Sequence, residues 1–533
     1  MIQHDVVIVG SGIAGMRCAL EIKRQAPEAD VALVSKLYPV RSPSVIERGG
    51  VAAALGNVLQ AAQGIIAPSR QHRSTADSVE SHMGDTLAYG GGTGDAAAVA
   101  ALCGEAPQVV YELEHMGAPF SRTVEGRIAQ VAGAGHSNPR LAYAADRTGH
   151  AILHTLYGEL VRYGIKIYPE WFLLSLLVEE GAARGITALD IRSGEVEVFN
   201  AKITVFATGS YGRIFGITSD AQSSTGDGLA AASRAGIALK GLDQVGFHPL
   251  GLADLGFVIS ERALLDGGYL LNSAEERFMG GYSALAERAP LADVSRAIAS
   301  EIAAGRGVGA GKDHVWLDVR HLPAQHVREH FPHLIEFAQD YLGLDPFDAL
   351  IPVQPTAHAT LGGIPTDVNG RVADVRRFYA VGACANNGVH GAAPLPGNEL
   401  AAALVFGRRA GAAIAKQLGE KSFLSVPAEA LATAKTTIKA LLNQKGTGRA
   451  ATVREQLLSS MSASNGVQRH YDALTEQIGR VRVLRNDFAG TALQDKGTLF
   501  NTELVEALEV ANMLEISEVA ASAAVEQLAA VAA

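Results

Sequence analysis

Three glycines near the start of the chain have the spacing of a phosphate-binding turn. Gly10, Gly12 and Gly15 follow an apolar run that ends at Val9, and they stand where a helical pattern begins. Glycines there let the backbone turn tightly and approach a pyrophosphate, whose charge then meets the N–H groups and positive dipole end of the helix. The pattern alone is common, but between a strand and a helix it favours a bound dinucleotide over an empty turn.

The end of the second strand does not decide between FAD and NAD. An Asp or Glu that binds the ribose is usual there, whereas this chain has Ser35 and Lys36. The ribose contact must therefore come from a hydroxyl group or from elsewhere in the chain. Two later strand ends, at residues 207–209 and 379–382, favour FAD, because its long body needs contacts from distant parts of the chain.

These turns need a sheet and helices to position them. Apolar runs and helical stretches alternate at the start of the chain in the order of a βαβ unit, and the pattern returns later. We predict strands at 6–9, 31–34, 203–206 and 378–383, and helices at 13–25, 226–236 and 398–418. The predicted fold class is α/β, with a Rossmann-like domain that binds the dinucleotide.

Composition and pattern divide the remainder of the chain. Residues from about 247 to 344 have more Arg, His and Pro, which indicates an inserted α+β capping domain, and the pattern after Val426 is helical. We predict a dinucleotide-binding domain in two parts (1–245 and 346–425), a capping domain (246–345) and a C-terminal helical domain (426–533).

The amino-acid composition excludes several classes of protein. A chain of 533 residues with 48% hydrophobic residues can bury a large core. A net charge of −10, without a basic run interleaved with aromatics, argues against nucleic acid as a partner. The three cysteines (Cys18, Cys103 and Cys384) form no Cys-x-x-Cys pair. We therefore expect no disulfide framework, no metal site and no iron–sulfur cluster within this chain, and a reducing compartment.

The chain start leads directly into a strand, without the basic segment and cleavage site of a signal peptide. Its apolar stretches are broken by glycine or charge before about 18 residues. We expect a cytoplasmic protein without direct membrane insertion, so that attachment to the inner face of the cell membrane would require partner subunits.

Eight segments occur in the order in which one known family has them. They are residues 35–42, 49–57, 113–122, 144–150, 224–228, 246–249, 362–366 and 389–392. Together they resemble the flavoprotein subunits of succinate dehydrogenases and fumarate reductases, over roughly residues 4–525. The resemblance implies FAD, a mobile cap over the flavin, and hydride exchange between flavin N5 and a C–C bond. It also implies an iron–sulfur partner subunit, with a membrane anchor or another redox subunit as a further partner.

The turns and the resemblance together predict the cofactor contacts. These are Gly10, Gly12, Ala14, Gly15, Ser35, Lys36, Ser42, Gly49, Gly50, Ala207, Thr208, Gly209, Asp227, Gly382, Asn398, Glu399 and Leu400. Family members with covalent flavin have a histidine where this chain has Pro43, so FAD is expected to bind non-covalently. If Glu399 points inward, its carboxylate would disfavour an anionic reduced flavin.

Two histidines and a glutamate match the substrate site of that family. His248 and His358 match histidines that hydrogen-bond a substrate carboxylate, and Glu261 matches the glutamate of a proton relay. A lone histidine is more often structural, but two at matched motif positions favour substrate contact. His248, His358 and Glu261 are therefore the predicted catalytic residues.

Other positions depart from that site. Leu250 replaces a threonine, Leu291 the arginine that acts as general acid, Leu264 a relay arginine, and Pro394 the arginine that clamps a carboxylate. Loss of a bidentate arginine contact in a buried site commonly costs a few kcal/mol, or roughly hundreds-fold in rate. We therefore do not expect succinate to be a good substrate.

Four further residues are candidates for substrate contact: Arg48, Arg262, Arg288 and His390. Arg48 aligns with a glutamine of the family, and a surface or ion-paired role is an equal alternative for it. Arg262 and Arg288 would serve only if the alignment shifts. Because Gly133 aligns with a phenylalanine that packs on substrate, we expect a larger pocket.

Three functions remain open on the sequence. The first is an oxidoreductase acting on a C–C bond beside an activating carbonyl, in a small molecule other than succinate or fumarate. The second is a true succinate dehydrogenase or fumarate reductase subunit, with Arg262 and Arg288 in the site. The third is a FAD-binding electron-transfer paralogue without catalysis.

Overall fold

A mostly parallel sheet of seven strands carries the predicted phosphate-binding turns. The computed structural model describes residues 1–57 and 77–532. Its strands are β1 (Ile2–Val9), β2 (Val31–Ser35), β3 (Val51–Ala52), β4 (Gln130–Val131), β5 (Leu141–Ala142), β6 (Lys166–Pro169), β7 (Trp171–Glu179), β8 (Ala182–Asp190), β9 (Val196–Phe206), β10 (Val245–Leu252), β11 (Tyr269–Leu271), β12 (Val315–Asp318), β13 (Ile351–Thr360), β14 (Ile364–Pro365), β15 (Phe378–Ala380) and β16 (Ala385–Asn386). Its helices are α1 (Ile13–Gln25), α2 (Val79–Tyr89), α3 (Ala96–His115), α4 (Thr148–Arg162), α5 (Asp227–Arg234), α6 (Arg262–Leu265), α7 (Leu291–Ala303), α8 (Ala324–His330), α9 (Pro332–Leu342), α10 (Asn398–Leu418), α11 (Ala430–Asn443), α12 (Ala450–Ser464), α13 (Tyr471–Ala489) and α14 (Thr502–Ala532).

The strand order of the large sheet is β6-β2-β1-β9-β8-β7, and β15 also pairs with β9. Strands β6, β2, β1, β9 and β15 pair in parallel, whereas β7 and β8 extend the sheet as an antiparallel hairpin. All five residues of β2 are buried, as expected for a parallel strand covered on both faces. This arrangement brings the carboxyl ends of β1, β2, β9 and β15 to one edge.

Helices α1 and α10 pack closely because small residues face each other. A Cβ atom at Gly407 would lie 2.7 Å from the carbonyl oxygen of Ala14, and one at Gly411 would lie 2.6 Å from that of Cys18. Only glycine allows so close an approach of two helix backbones. The contact places the N-terminal ends of both helices at the same cleft.

A second, four-stranded antiparallel sheet has the order β10-β13-β12-β11. Together with α6 to α9 it encloses its own apolar core, which includes Leu250, Leu264 and Ile298. The sequence assigned β13 to the dinucleotide-binding domain, but its ladder pairs it with β10 and β12. The exact domain boundaries stay predictions.

The C-terminal helices pack against the large sheet. Leu514 and Ile516 of α14 share a core with Phe199 of β9. In the part of the chain that the structure describes, we find no helix with the length and apolarity needed to span a membrane.

Candidate cofactor and substrate site

A cleft lies at the carboxyl ends of the parallel strands, between the turns after β1, β2, β9 and β15. Most of the predicted cofactor residues line it: Gly10, Gly12, Ala14, Ser35, Lys36, Ser42, Ala207, Thr208, Gly209, Asp227, Gly382, Glu399 and Leu400. The sequence therefore predicted residues that line the cleft, although they come from widely separated parts of the chain.

The glycines after β1 are required by close backbone contacts. Gly10 has a φ of +109°, and a Cβ there would lie 2.0 Å from the carbonyl oxygen of Ala207. Gly15 packs against the carbonyl of Gly10, where a Cβ would approach to 2.2 Å. The turn thus packs tightly on β9 and leaves the start of α1 open to the cleft.

Besides Gly15, three predicted cofactor residues do not line the cleft. Asn398 is fully buried, where its amide accepts a hydrogen bond from His82 and donates one to Thr86. Gly50, with a φ of +96°, packs against the carbonyl of Ala142, and Gly49 has open space around its α-carbon. Their contact with a cofactor stays a prediction, and the Asn398 side chain is engaged in anchoring α10 on α2.

Several buried hydroxyl groups in the cleft wall lack partners. Ser42 Oγ, Ser224 Oγ and Thr360 Oγ1 have no hydrogen-bond partner within the described residues, although these side chains are at least nine-tenths buried. A buried hydroxyl without a partner is costly. Together with two helix N-termini and the glycine turns, these orphan groups fit a long polar cofactor such as FAD.

Lys36 lies in the wall of the cleft but its charge is already paired. Its ammonium group bonds Asp227 and Glu509, both at 2.7 Å, and Thr225 at 2.9 Å. Asp227, from the start of α5, thus places a carboxylate beside the end of β2, and its contact with a ribose stays a prediction. Sequence reasoning predicted a contact from elsewhere in the chain but missed Glu509.

Three carboxyl groups line the cleft together with His358: Glu47, Asp220 and Glu399. Burial, and then the charge of Glu399, raises the pKa of Glu47 to about 7. Burial, and then the charge of Asp220, raises the pKa of Glu399 to about 7. Glu399 therefore does face the cleft. Sequence reasoning missed Glu47, which stands two residues before Gly49.

The structure brings His248, His358 and Glu261 together. The two imidazole centroids lie 5.5 Å apart, and His248 Nε2 lies 4.0 Å from a carboxylate oxygen of Glu261. His358 is hydrogen-bonded through Nδ1 to Ser219 at 2.7 Å and lines the cleft. These contacts place the three residues at the junction of β10, β13 and the segment before α6.

The backbone determines which nitrogen of His248 carries the proton. The N–H of Leu250 donates to His248 Nδ1 at 3.2 Å, so Nδ1 is an acceptor and the neutral ring has its proton on Nε2. Burial, and then His358, lowers the pKa of His248 well below its usual value. Nε2 has no hydrogen-bond partner in the described part of the chain. His248 is thus a buried, uncharged donor.

Tyr89, at the end of α2, is a residue that sequence reasoning missed. Burial raises the pKa of its phenol, and the nearby carboxylates of Glu261 and Glu399 raise it further. Its ring lies beside Gly135, where a Cβ would come within 2.3 Å of it. Tyr89 is therefore a buried phenol beside Gly135 that is influenced by the charges of both Glu261 and Glu399. The only signal in the sequence was a tyrosine followed by three glycines.

The larger pocket expected from Gly133 is not found at that position. A Cβ there would lie 2.8 Å from Leu141 and 2.9 Å from His136. These neighbours, with Tyr89 at Gly135, occupy the space that a large side chain would otherwise take.

Of the four candidate substrate contacts, only His390 lines the cleft. Burial lowers its pKa to about 4. Arg48 stacks on Phe337 of α9, with 4.9 Å from its guanidinium carbon to the ring centroid. Arg262 pairs with Asp266 at 3.4 Å, and Arg288 is exposed on the surface of the cap. These three arginines stay outside the cleft in this conformation.

Residues of the cap core occupy two positions at which the resemblance had implied polar groups. Leu250 and Leu264 are both almost completely buried among apolar side chains. Leu291 opens α7, and Pro394 lies in the turn before α10. The match of these leucines to polar positions of the family stays a prediction.

Comparison with known proteins agrees with this geometry. Residues 5–400 match the family model of a FAD binding domain, and residues 454–527 match that of the fumarate reductase flavoprotein C-terminal region. The chain is 37% identical to the succinate dehydrogenase flavoprotein subunit of Coxiella burnetii, covering 97% of this chain and 88% of that protein. It is 36% identical to the fumarate reductase flavoprotein subunit of Mycobacterium tuberculosis, with the same shares covered.

A solved structure of quinol fumarate reductase from E. coli has the same fold. It superposes with a TM-score of 0.89 at 32% identity, and the match covers 98% of this chain and 88% of that one. The predicted α/β fold and the predicted FAD cofactor are confirmed. The chain therefore belongs to the family of succinate dehydrogenase and fumarate reductase flavoprotein subunits, which are FAD-dependent oxidoreductases.

Proposed function

We propose that this flavoprotein exchanges hydride between flavin N5 and a C–C bond beside an uncharged carbonyl, in a substrate other than succinate or fumarate. One observation carries the proposal: within residues 1–57 and 77–532, no arginine lines the cleft. The lysine that lines it, Lys36, is engaged with two carboxylates. A dicarboxylate would find no free cation there.

The charges that do line the cleft oppose a dianion. Glu47, Asp220 and Glu399 surround the end that holds His358. Two like charges about 4 Å apart repel by roughly 4 kcal/mol at an effective dielectric constant of about 20. Even partial ionisation of this group disfavours succinate relative to a neutral compound.

His248 and Glu261 lie beside His358 but outside the lining of the cleft. The chemistry of His248 suits an uncharged acceptor. A neutral imidazole that presents Nε2–H can donate a hydrogen bond to a carbonyl oxygen without adding charge. Such a donor stabilises the negative charge that develops on the oxygen when a conjugated C=C bond is reduced. Glu261, with a carboxylate oxygen 4.0 Å from His248 Nε2, is the candidate for transfer of the accompanying proton.

Two further parts of the proposal concern the flavin and a partner. FAD is held non-covalently, because Pro43 lines the cleft at the place of the family's linking histidine and has no nucleophilic atom. Electrons pass to or from an iron–sulfur partner subunit. The names of the relatives, which describe flavoprotein subunits, support a multi-subunit assembly.

The test compares two oxidants that differ in charge. The dithionite-reduced protein is mixed with fumarate or with its uncharged diamide, and flavin reoxidation is followed by absorbance, with ferricyanide as a control for flavin access. We expect the diamide to reoxidise the flavin at least about tenfold faster than fumarate, the effect of roughly 1.4 kcal/mol. Acid precipitation should release FAD to the supernatant.

The two alternatives give other results. Rapid reoxidation by fumarate, or bleaching of the oxidised flavin by succinate, would show a true succinate dehydrogenase or fumarate reductase in which Arg262 or Arg288 enters the site on cap movement. Reoxidation by ferricyanide but by neither C=C compound would favour an electron-transfer paralogue without catalysis.

A further inference from the structure

The C-terminal helix α14 contacts residues of the cofactor cleft through two side chains, Glu509 and Asn512. Glu509 lies in α14 and accepts a hydrogen bond from Lys36, which is 473 residues away in the sequence. Both partners are mostly buried, each with 16% of the side chain exposed. Lys36 lines the cleft directly after β2. A helix outside the dinucleotide-binding domain thus contacts a residue of the cofactor wall.

The hydrogen bonds around Lys36 are fully used. An ammonium group has three donors, and here they meet Thr225, Asp227 and Glu509 at 2.7 to 2.9 Å. Lys36 therefore has no donor left for a phosphate or a ribose. In this arrangement Lys36 positions the side chains of Thr225, Asp227 and Glu509 relative to one another.

The carboxylate of Asp227 is held from three sides. It accepts hydrogen bonds from Lys36, Thr225 and Asn512 of α14, at distances of 2.7 to 3.0 Å. A carboxylate has about four acceptor positions. One position therefore remains, and Asp227 lines the cleft.

The location of the Asp227 carboxylate indicates which half of FAD it would contact. In dinucleotide-binding sheets the end of the second strand meets the ribose of the adenosine half, where a carboxylate accepts a bond from a hydroxyl group. Here Lys36 occupies that strand end, and Asp227 is bonded to it. The remaining acceptor of Asp227 therefore lies in the cleft beside the strand end at which such folds bind the adenosine ribose.

We propose that Glu509 is a positioning residue for the adenosine half of FAD, acting through Lys36 on Asp227. It shares the charge of Lys36, so that the ammonium does not pair with Asp227 alone and draw its carboxylate away from the ribose. Asn512 of the same helix holds the other oxygen of Asp227. Because binding effects are reciprocal, FAD also strengthens the docking of α14 on the cleft.

The experiment separates the two halves of the cofactor. Apoprotein is titrated by calorimetry with ADP, which has the adenosine half only, and with FMN, which lacks it. In Glu509→Gln the side chain still accepts a hydrogen bond from Lys36 but loses its charge, and we expect affinity for ADP to fall about 5- to 10-fold, the difference between a charged and a neutral hydrogen bond. Affinity for FMN should change less than about twofold, within the scatter of surface substitutions. Glu509→Asp, which retains the charge, should recover part of the ADP affinity.

A matched control lies on the same helix. Glu526 is exposed near the end of α14, so Glu526→Gln should leave both affinities unchanged. Equal losses for ADP and FMN in Glu509→Gln would indicate general disruption and overturn the proposal. Unchanged ADP affinity in that variant would overturn it too. Amide exchange of α14 with and without ADP gives a second readout, and protection by ADP in wild type but not in Glu509→Gln is expected.

Discussion

Burial reduces the charge of several side chains of the site near neutral pH. The pKa of His390 is lowered to about 4 by burial, and those of Glu47 and Glu399 are raised to about 7, by burial first and then by neighbouring carboxylates. Desolvation always favours the uncharged form, so histidines and carboxylic acids shift in opposite directions. At the residue scale, the site is therefore less charged than its composition indicates.

Replacing Glu399 should change the stability of the apoprotein with pH. The folded-state pKa lies above the usual value, so the folded protein binds more protons than the unfolded chain between about pH 4.5 and 7, and stability falls as pH rises through this window. Glu399→Gln should thus raise the free energy of unfolding by roughly 2 kcal/mol at pH 8, and by little at pH 4.5. Urea denaturation at both pH values measures this.

Glu420→Gln is the control for that substitution. Glu420 is exposed just beyond the other end of the same helix, and its loss should have no pH-dependent effect. A stabilisation by Glu399→Gln that is equal at both pH values would show that the carboxyl group keeps the same charge throughout.

The same substitution should shift the reduction potential of bound FAD. An ionised carboxylate in the cleft disfavours an anionic reduced flavin, so Glu399→Gln should raise the two-electron midpoint potential at pH 8 by about 40 mV, the equivalent of roughly 2 kcal/mol. At pH 5.5, where the carboxyl group is mostly protonated, the shift should vanish. Dye-equilibrated potentiometry tests this, and an unchanged potential at pH 8 would place Glu399 too far from the flavin to act on it.

At the element scale, the contact of α1 with α10 sets the shape of the cleft. Gly407→Ala places a methyl group 2.7 Å from the carbonyl oxygen of Ala14, so the two helices must separate. We expect a loss of roughly 1–3 kcal/mol in unfolding free energy and weaker FAD binding, measured by thermal denaturation and by retained flavin per chain.

Gly104 provides the matched control for this helix contact. It lies inside α3, and a Cβ there would meet nothing within 4 Å. Gly104→Ala should therefore be neutral or stabilise the protein by up to about 1 kcal/mol. Similar destabilisation by both substitutions would mean that the helix contact is not what constrains Gly407.

At the scale of the whole molecule, Arg48 joins the cap to the FAD-binding part. Its guanidinium stacks on Phe337 of α9, and Nη1 is buried without a hydrogen-bond partner in the described residues. Arg48→Met should weaken this contact by about 1 kcal/mol and speed amide exchange in α9 several-fold.

A surface stacking pair is the control for Arg48. Arg162 lies 4.9 Å from the ring of Tyr163 but has 65% of its side chain exposed, so Arg162→Met should leave exchange in α9 unchanged. If Arg48→Met instead weakens anion binding without loosening α9, the substrate contact that the sequence left open for Arg48 is the correct interpretation.

Local patterns were sufficient to predict the elements that form the cleft. The helices at residues 13–25 and 398–418 were predicted with the bounds that the structure has. The Gly10 turn followed from its place between a strand and a helix. Such features depend on backbone conformation and on the period of apolar residues, and both are encoded by neighbours in sequence. The β7–β8 hairpin was not predicted, because its strands carry little alternation of polar and apolar residues.

The direction of each side chain was decided only by the tertiary structure. Asn398 and Glu399 are adjacent, yet one anchors α10 on His82 and the other faces the cleft. The sequence indicated Arg48 as a candidate substrate contact, but it could not show that Arg48 stacks on Phe337. Nor could it show that Glu509 accepts a hydrogen bond from Lys36. Residue identity and local spacing determine family, fold and cofactor. Contacts between side chains that are distant in the sequence depend instead on how whole helices and strands pack, and a local sequence pattern carries no information about that packing.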